Sequence, residues 1–106
     1  MVKRGDIWLV NLDPTVGSEI KKSRPCVVVS PAELNDHLRT VIAAPMTSKG
    51  FVAPFRVPVT HVGKKGLVLV DQLRTVDKVR LIKRLSGLSP KTMAATLSTL
   101  KEVFAD

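Results

Sequence analysis

Cysteine and aromatic side chains are nearly missing from this chain, which has no tyrosine, one tryptophan, three phenylalanines and a single cysteine, Cys26. A lone cysteine excludes an intrachain disulfide, and its place in the apolar run Cys26-Val-Val-Val29 makes it a small buried hydrophobe, compatible with a reducing cytoplasm. Two isolated histidines and no carboxylates clustered at ligand spacing leave metal catalysis without support, so neither a metal nor another cofactor is expected. There is no Gly-x-Ser-x-Gly elbow for a serine hydrolase and no glycine-rich phosphate loop leading into a helix. Nor is there an apolar stretch of membrane-spanning length, or an amino-terminal apolar segment with a cleavage site. A soluble, cytoplasmic protein is expected.

Acids are also scarce. Nine Asp plus Glu stand against 17 Lys plus Arg, a net charge of +8 on 106 residues. On a chain this short, expected to form one domain over residues 1–106, such an excess favours a polyanionic partner. Nucleic acid and an acidic protein segment fit equally well on charge alone.

What is present is mostly strand. Asp6 to Leu12, Cys26 to Val29, Val41 to Pro45, Leu67 to Val70, Arg74 to Val76 and Leu81 to Leu85 are rich in β-branched or apolar residues and bounded by turn formers. Phe55 to Val59 alternates apolar with polar, and Pro54 and Pro58 confine it to a sheet edge. His61 to Gly66 reads as a basic turn. Ser30-Pro31-Ala32-Glu33 has the form of a capping box, with Ser30 as N-cap and a helical turn running to about Asp36 near the surface. Ser89-Pro90 starts the one long helix, on which Met93, Leu97, Leu100 and Phe104 share a face. Too few helices lie between strands for parallel βαβ units, so a mainly β chain, a small bent antiparallel barrel with an appended helix, is expected.

The chemistry concentrates around Lys21-Lys-Ser-Arg-Pro25. Pro25 holds Arg24 extended at the point where a polar loop, Asp13 to Ser23, enters a buried strand, so its guanidinium forms a structural ion pair, merely solubilises the strand end, or is aimed at a ligand. Thr47 and Ser48, at another strand end, either cap local backbone groups or donate to a phosphate oxygen. Asp71 either pairs with an arginine such as Arg74 or accepts a proton. Trp8 either anchors the core or stacks on a base, the first being favoured by Ile7 and Leu9 beside it. A metal-free set of this kind suffices for RNA cleavage, because RNA carries its own nucleophile in the 2′-hydroxyl; DNA does not.

In order and spacing, Arg4-Gly-Asp-Ile-Trp-Leu-Val10, Leu12-Asp-Pro-Thr-Val-Gly-Ser-Glu19, Arg24-Pro-Cys-Val-Val-Val-Ser-Pro31, Pro45-Met-Thr-Ser48 and Asp71-Gln-Leu-Arg-Thr75 resemble the MazF/PemK (Kid) family of toxins from type II toxin-antitoxin modules. The resemblance implies an SH3-like β-barrel with a carboxy-terminal helix, a homodimer, and sequence-specific cleavage of single-stranded RNA to a 2′,3′-cyclic phosphate. It also implies a cognate antitoxin whose acidic, disordered carboxy-terminal segment covers the same groove. Arg24 and Thr47 would be catalytic, with Ser18, Glu19, Lys21, Ser48, Asp71 and Gln72 contacting substrate. The Kid branch uses a first-loop His, an Arg before the Asp-Gln pair and the Asp itself. Ser18, Leu69 and Asp71 stand at those positions, so the Arg24/Thr47 arrangement is the closer match and the proton acceptor is left open. Two other classes share this kind of barrel: a non-catalytic RNA- or protein-binding module and a gyrase-poisoning toxin.

Overall fold

Every strand pairing in the protein is antiparallel, and one strand organises them all. The computed structural model describes residues 1–106. It contains β1 (Asp6–Asn11), β2 (Ser23–Val28), α1 (Ala32–Asn35), β3 (Thr40–Thr47), β4 (Arg56–His61), β5 (Lys64–Leu69), β6 (Arg74–Asp77), β7 (Leu81–Gly87) and α2 (Pro90–Val103). On one edge β3 pairs with β2; on the other it pairs first with β6 through Thr40–Ala43 and then with β5 through Met46 and Thr47. Between β5 and β6 the chain makes a 3-10 turn, Val70–Gln72, which bends the neighbouring edge without leaving β3.

Side chains alternate across a strand, so a run that is apolar at every position must be buried on both faces. That is what Cys26–Val29 and Val41–Met46 achieve. Val27, Val29, Ala44 and Met46 join Ile7, Val57, Val68 and Val70 in one core, against which Met93 and Leu100 of α2 pack. Cys26 and Ala43 face the other way and join Val10, Leu12 and Val76, covered by Trp8, Ile20 and Leu81. Trp8 is half-buried there, leaning on this second core rather than filling it.

The strand order β4-β5-β3-β2-β1-β7 is an open path, with β6 paired to β3 off it. The expected barrel is therefore a bent sheet whose hydrogen bonding does not close. Its two end strands still approach one another, His61 Nδ1 of β4 lying 3.5 Å from Ser86 Oγ of β7. The edge position expected for the Pro58 segment is where β4 lies, and Ser89 caps α2 by accepting from the Thr92 amide at 3.2 Å.

Other expectations give way. The capping box does not form: Pro31 is the N-cap of α1 and no side chain caps it. Ser30 is buried instead, and its Oγ accepts from the Ile42 amide at 3.0 Å while donating to Asn35 Oδ1. Asn35, expected near the surface, is buried, and its Nδ2 donates to the Ser30 carbonyl at 2.8 Å. Joining α1 to β3 leaves these backbone groups without water, and a buried amide side chain satisfies them better than a surface cap. On α2, Thr96 is fully buried and Phe104, beyond the last helical turn, is 75% exposed. Thr96 tolerates burial because its hydroxyl donates to the Thr92 carbonyl at 2.8 Å. The basic turn shortens to Val62-Gly63, both at positive φ, so Lys64, Lys65 and Gly66 belong to β5.

Two outcomes follow from the buried groups. Asn35→Ala leaves the buried Ser30 groups short of partners and should cost about 1–3 kcal/mol, read as a lowered urea midpoint with unchanged slope. Burial pushes the Cys26 thiol up to about 12 from 9.0, although the Arg74 charge pulls it back. A raised acid pKa means the folded state holds its proton longer than the unfolded one, so this contribution is complete below pH 9.0 and is lost as pH rises towards 12. Iodoacetamide at pH 8 should leave Cys26 of the native protein unmodified and label it once urea unfolds the chain.

Candidate active site

The β2–β3 ladder pairs Val28 with Ala43, Val27 with Ala44 and Cys26 with Pro45. Carrying that register two residues further brings Arg24 opposite Thr47, on one face, where the ladder frays. Both line a cleft of about 170 Å³ together with Ser48, His61, Lys64 and Lys65. Its charged groups are all cationic, and no carboxylate lines it.

Arg24 is half-buried and makes no ion pair, so the structural-pair reading falls. Its Nε donates to the Lys21 carbonyl at 3.2 Å, and neither terminal nitrogen has a protein partner. A guanidinium held by its inner nitrogen presents the outer two to a ligand, the geometry suited to two oxygens of a phosphate. Thr47 Oγ1 accepts from the Lys49 amide at 3.1 Å, which leaves its own proton available to an anion in the cleft.

The other residues singled out in the sequence gather in a second depression of about 370 Å³, lined by Ser18, Glu19, Asp71 and Gln72 along with Pro45 and Arg74. Because β3 supplies Pro45 to this one and Met46 and Thr47 to the first, the two lie side by side. Here the polar groups are already engaged. Gln72 Oε1 accepts from the Ile20 amide at 2.7 Å and its Nε2 donates to the Ser18 carbonyl at 3.4 Å, fastening the loop after β1 to the 3-10 turn. Glu19 Oε1 accepts from the Val16 amide at 2.6 Å within that loop. Lys21 is exposed and lines neither depression; its carbonyl, not its ammonium, serves Arg24.

Asp71 is paired, but with Arg56 rather than Arg74: Arg56 Nε and Nη2 donate to its two carboxylate oxygens at 3.2 and 3.1 Å. Arg74 points elsewhere and donates to the Leu12 carbonyl at 3.1 Å. The Arg56 guanidinium also lies over the Phe51 ring, 4.2 Å from its centroid. Arg56, His61 and Gly66 went unrecognised as site residues in the sequence. The signal for the last two was the Val62-Gly63 hairpin, which folds His61 and Lys64 back as a pair. No such signal exists for Arg56, fifteen residues from its carboxylate. No three His, Cys, Asp or Glu side chains gather into a set that could hold a metal ion.

Gly66 sets the floor of the cleft. A Cβ there would lie 2.5 Å from the Thr47 carbonyl oxygen, a backbone atom that cannot turn aside. Gly66→Ala should therefore displace the end of β3 and cost about 1–3 kcal/mol, measured by thermal or urea unfolding.

Comparison with known proteins fits this arrangement. Residues 3–104 match the family described as PemK-like, MazF-like toxin of type II toxin-antitoxin system. Endoribonuclease PemK of Escherichia coli is 40% identical over 108 residues, covering 96% of this chain and 81% of that protein. The crystal structure of MazF from Deinococcus radiodurans superposes with a TM-score of 0.85 at 30% identity, covering 96% of this chain and 94% of that one. A MazE–MazF structure from the same organism gives 0.80 at 26% identity, covering 98% and 95%. With the match spanning both depressions and nearly every strand, the chain belongs to the PemK-like, MazF-like toxin family of type II toxin-antitoxin systems.

Proposed function

We propose that this toxin-family endoribonuclease cuts single-stranded RNA at specific sequences without a metal ion, with residues 1–106 acting as one domain. The observation that carries this reading is that Arg24 of β2 and Thr47 of β3 line one cleft, beyond the last β2–β3 pair Cys26 and Pro45, in which the charged groups are three cations and no carboxylate. A scissile phosphate seated there receives the free nitrogens of Arg24 and the hydroxyl of Thr47, with Ser48 beside them. The neighbouring 2′-hydroxyl attacks phosphorus, the bond to the 5′-oxygen breaks, and a 2′,3′-cyclic phosphate remains. Negative charge grows on the phosphate oxygens in the transition state, so fixed donors stabilise that state more than the ground state. Arg24 is the electrostatic member, since a guanidinium keeps its charge.

Ser18, Glu19, Asp71 and Gln72 border the adjoining depression and hold the flanking nucleotides; the Gln72 bonds to the first loop set the shape of that wall. Lys21 adds long-range attraction from outside. The cognate antitoxin lays an acidic, disordered carboxy-terminal segment along the same cationic trough, so RNA and antitoxin compete directly. The toxin works as a homodimer in the cytoplasm, where messenger RNA loss arrests growth; no helix of the chain is long and apolar enough to cross a membrane.

Incubation of purified protein with mixed RNA in EDTA should yield fragments ending in cyclic phosphate. Arg24→Ala should slow this about 10²- to 10³-fold, the usual cost of one transition-state donor. Lys101→Ala, an exposed helical cation, should cleave normally. Failure of the wild-type protein to cut any RNA, or full activity in Arg24→Ala, defeats the proposal.

A further inference from the structure

The proposed cleavage needs a group that takes the 2′-hydroxyl proton, and the residues inherited from the family pattern do not provide one. Arg24 keeps its charge, Thr47 has no basic lone pair of use near neutrality, and Asp71 is outside the cleft with both oxygens held by Arg56. Among the side chains that line the cleft, the charged ones are Arg24 from β2 and Lys64 and Lys65 from β5. The only other titratable group there is His61, at the end of β4. Imidazole is the side chain whose ordinary range changes charge between roughly pH 5 and 8, as a general base at neutrality requires.

Its placement is specific. The two-residue Val62-Gly63 turn pairs His61 with Lys64, which fixes the strand that carries the ring against the one that carries Gly66, and Gly66 in turn abuts the Thr47 backbone. His61 is half-buried, and its Nδ1 lies 3.5 Å from Ser86 Oγ of β7. Nε2 has no protein partner. One ring nitrogen thus lies against the opposite end of the sheet while the other has no protein partner, on a residue that lines the cleft.

We propose that His61 is the general base of this toxin. Its free ring nitrogen takes the proton of the 2′-hydroxyl as the O2′–P bond forms. The P–O5′ bond breaks, the leaving 5′-oxygen takes a proton from solvent water, and the imidazolium returns its proton to solvent, so protons balance over the cycle. The assignment rests on the cleft being the RNA-cleaving site and adds a residue that the Arg24/Thr47 pattern lacks.

The test uses the intact protein, cleaving a short RNA built around a site mapped from mixed RNA. Wild-type kcat should climb with pH as imidazole loses its proton and then level off. His61→Gln, which keeps a polar group near Ser86, should lose about 10² to 10⁴ in kcat with RNA affinity retained, and should lose that climb. In His61→Ala, added imidazole should restore part of the rate. A wild-type profile flat between roughly pH 5 and 8 overturns the proposal without any variant, as does wild-type kcat in a folded His61→Gln. If wild type cuts RNA, Arg24→Ala does not and His61→Gln does, only the His61 assignment fails. If wild type cuts nothing, the reading beneath it fails first.

Discussion

The constraint on which the structure depends is that β3 is hydrogen-bonded along both edges and buried on both faces. A strand so enclosed has no freedom of register, since a slip of one residue would exchange the two cores, sending Ala44 and Met46 to the face of Cys26 and Ala43. Each feature of the candidate site is referred to this fixed strand. Thr47 is its last residue, Arg24 shares a cleft with it, Gly66 is pressed against it, and the 3-10 turn with Asp71 and Gln72 is the bend of its second edge. The functional groups sit where the ladder ends because only there do side chains escape burial while their backbones stay rigid.

Much of this was legible in the sequence, and the reasons differ by residue. The continuous run Cys26–Val29 announced a strand with two covered faces, Pro58 announced an edge, and Ser89-Pro90 announced the start of α2. Arg24 was legible because Pro25 dictates its local conformation. Asp71 was only half legible: that it would pair followed from its place after a buried strand, but its partner was set by the sheet, which brings β4 rather than β6 to its side. The capping box at Ser30 failed for a related reason. Local pattern cannot see that Ile42 will need the serine hydroxyl, or that Asn35 will be swallowed with it. His61 was hidden in a stretch whose glycines and lysines look like an ordinary exposed turn.

Charge is distributed unevenly for the same architectural reason. Of the two ion pairs, Arg56 with Asp71 ties β4 to the 3-10 turn and Arg84 with Asp6 ties β7 to β1, and none of the four residues lines the cleft. With nine acids against 17 Lys plus Arg, and none of the nine lining the cleft, the cations around Arg24 are left uncompensated. A potential of this kind attracts any polyanion, and the shape of the ladder end, not the charge, must decide how it is held.

The guanidinium of Arg24 is steadied by the main-chain oxygen at position 21, not by the lysine ammonium found there. Such an anchor is written in the backbone and survives almost any exchange of side chain. Drift at that position can retune how strongly the surface draws a polyanion while leaving the aim of the arginine untouched. Evolution thereby obtains a dial for affinity that is mechanically separate from the chemistry.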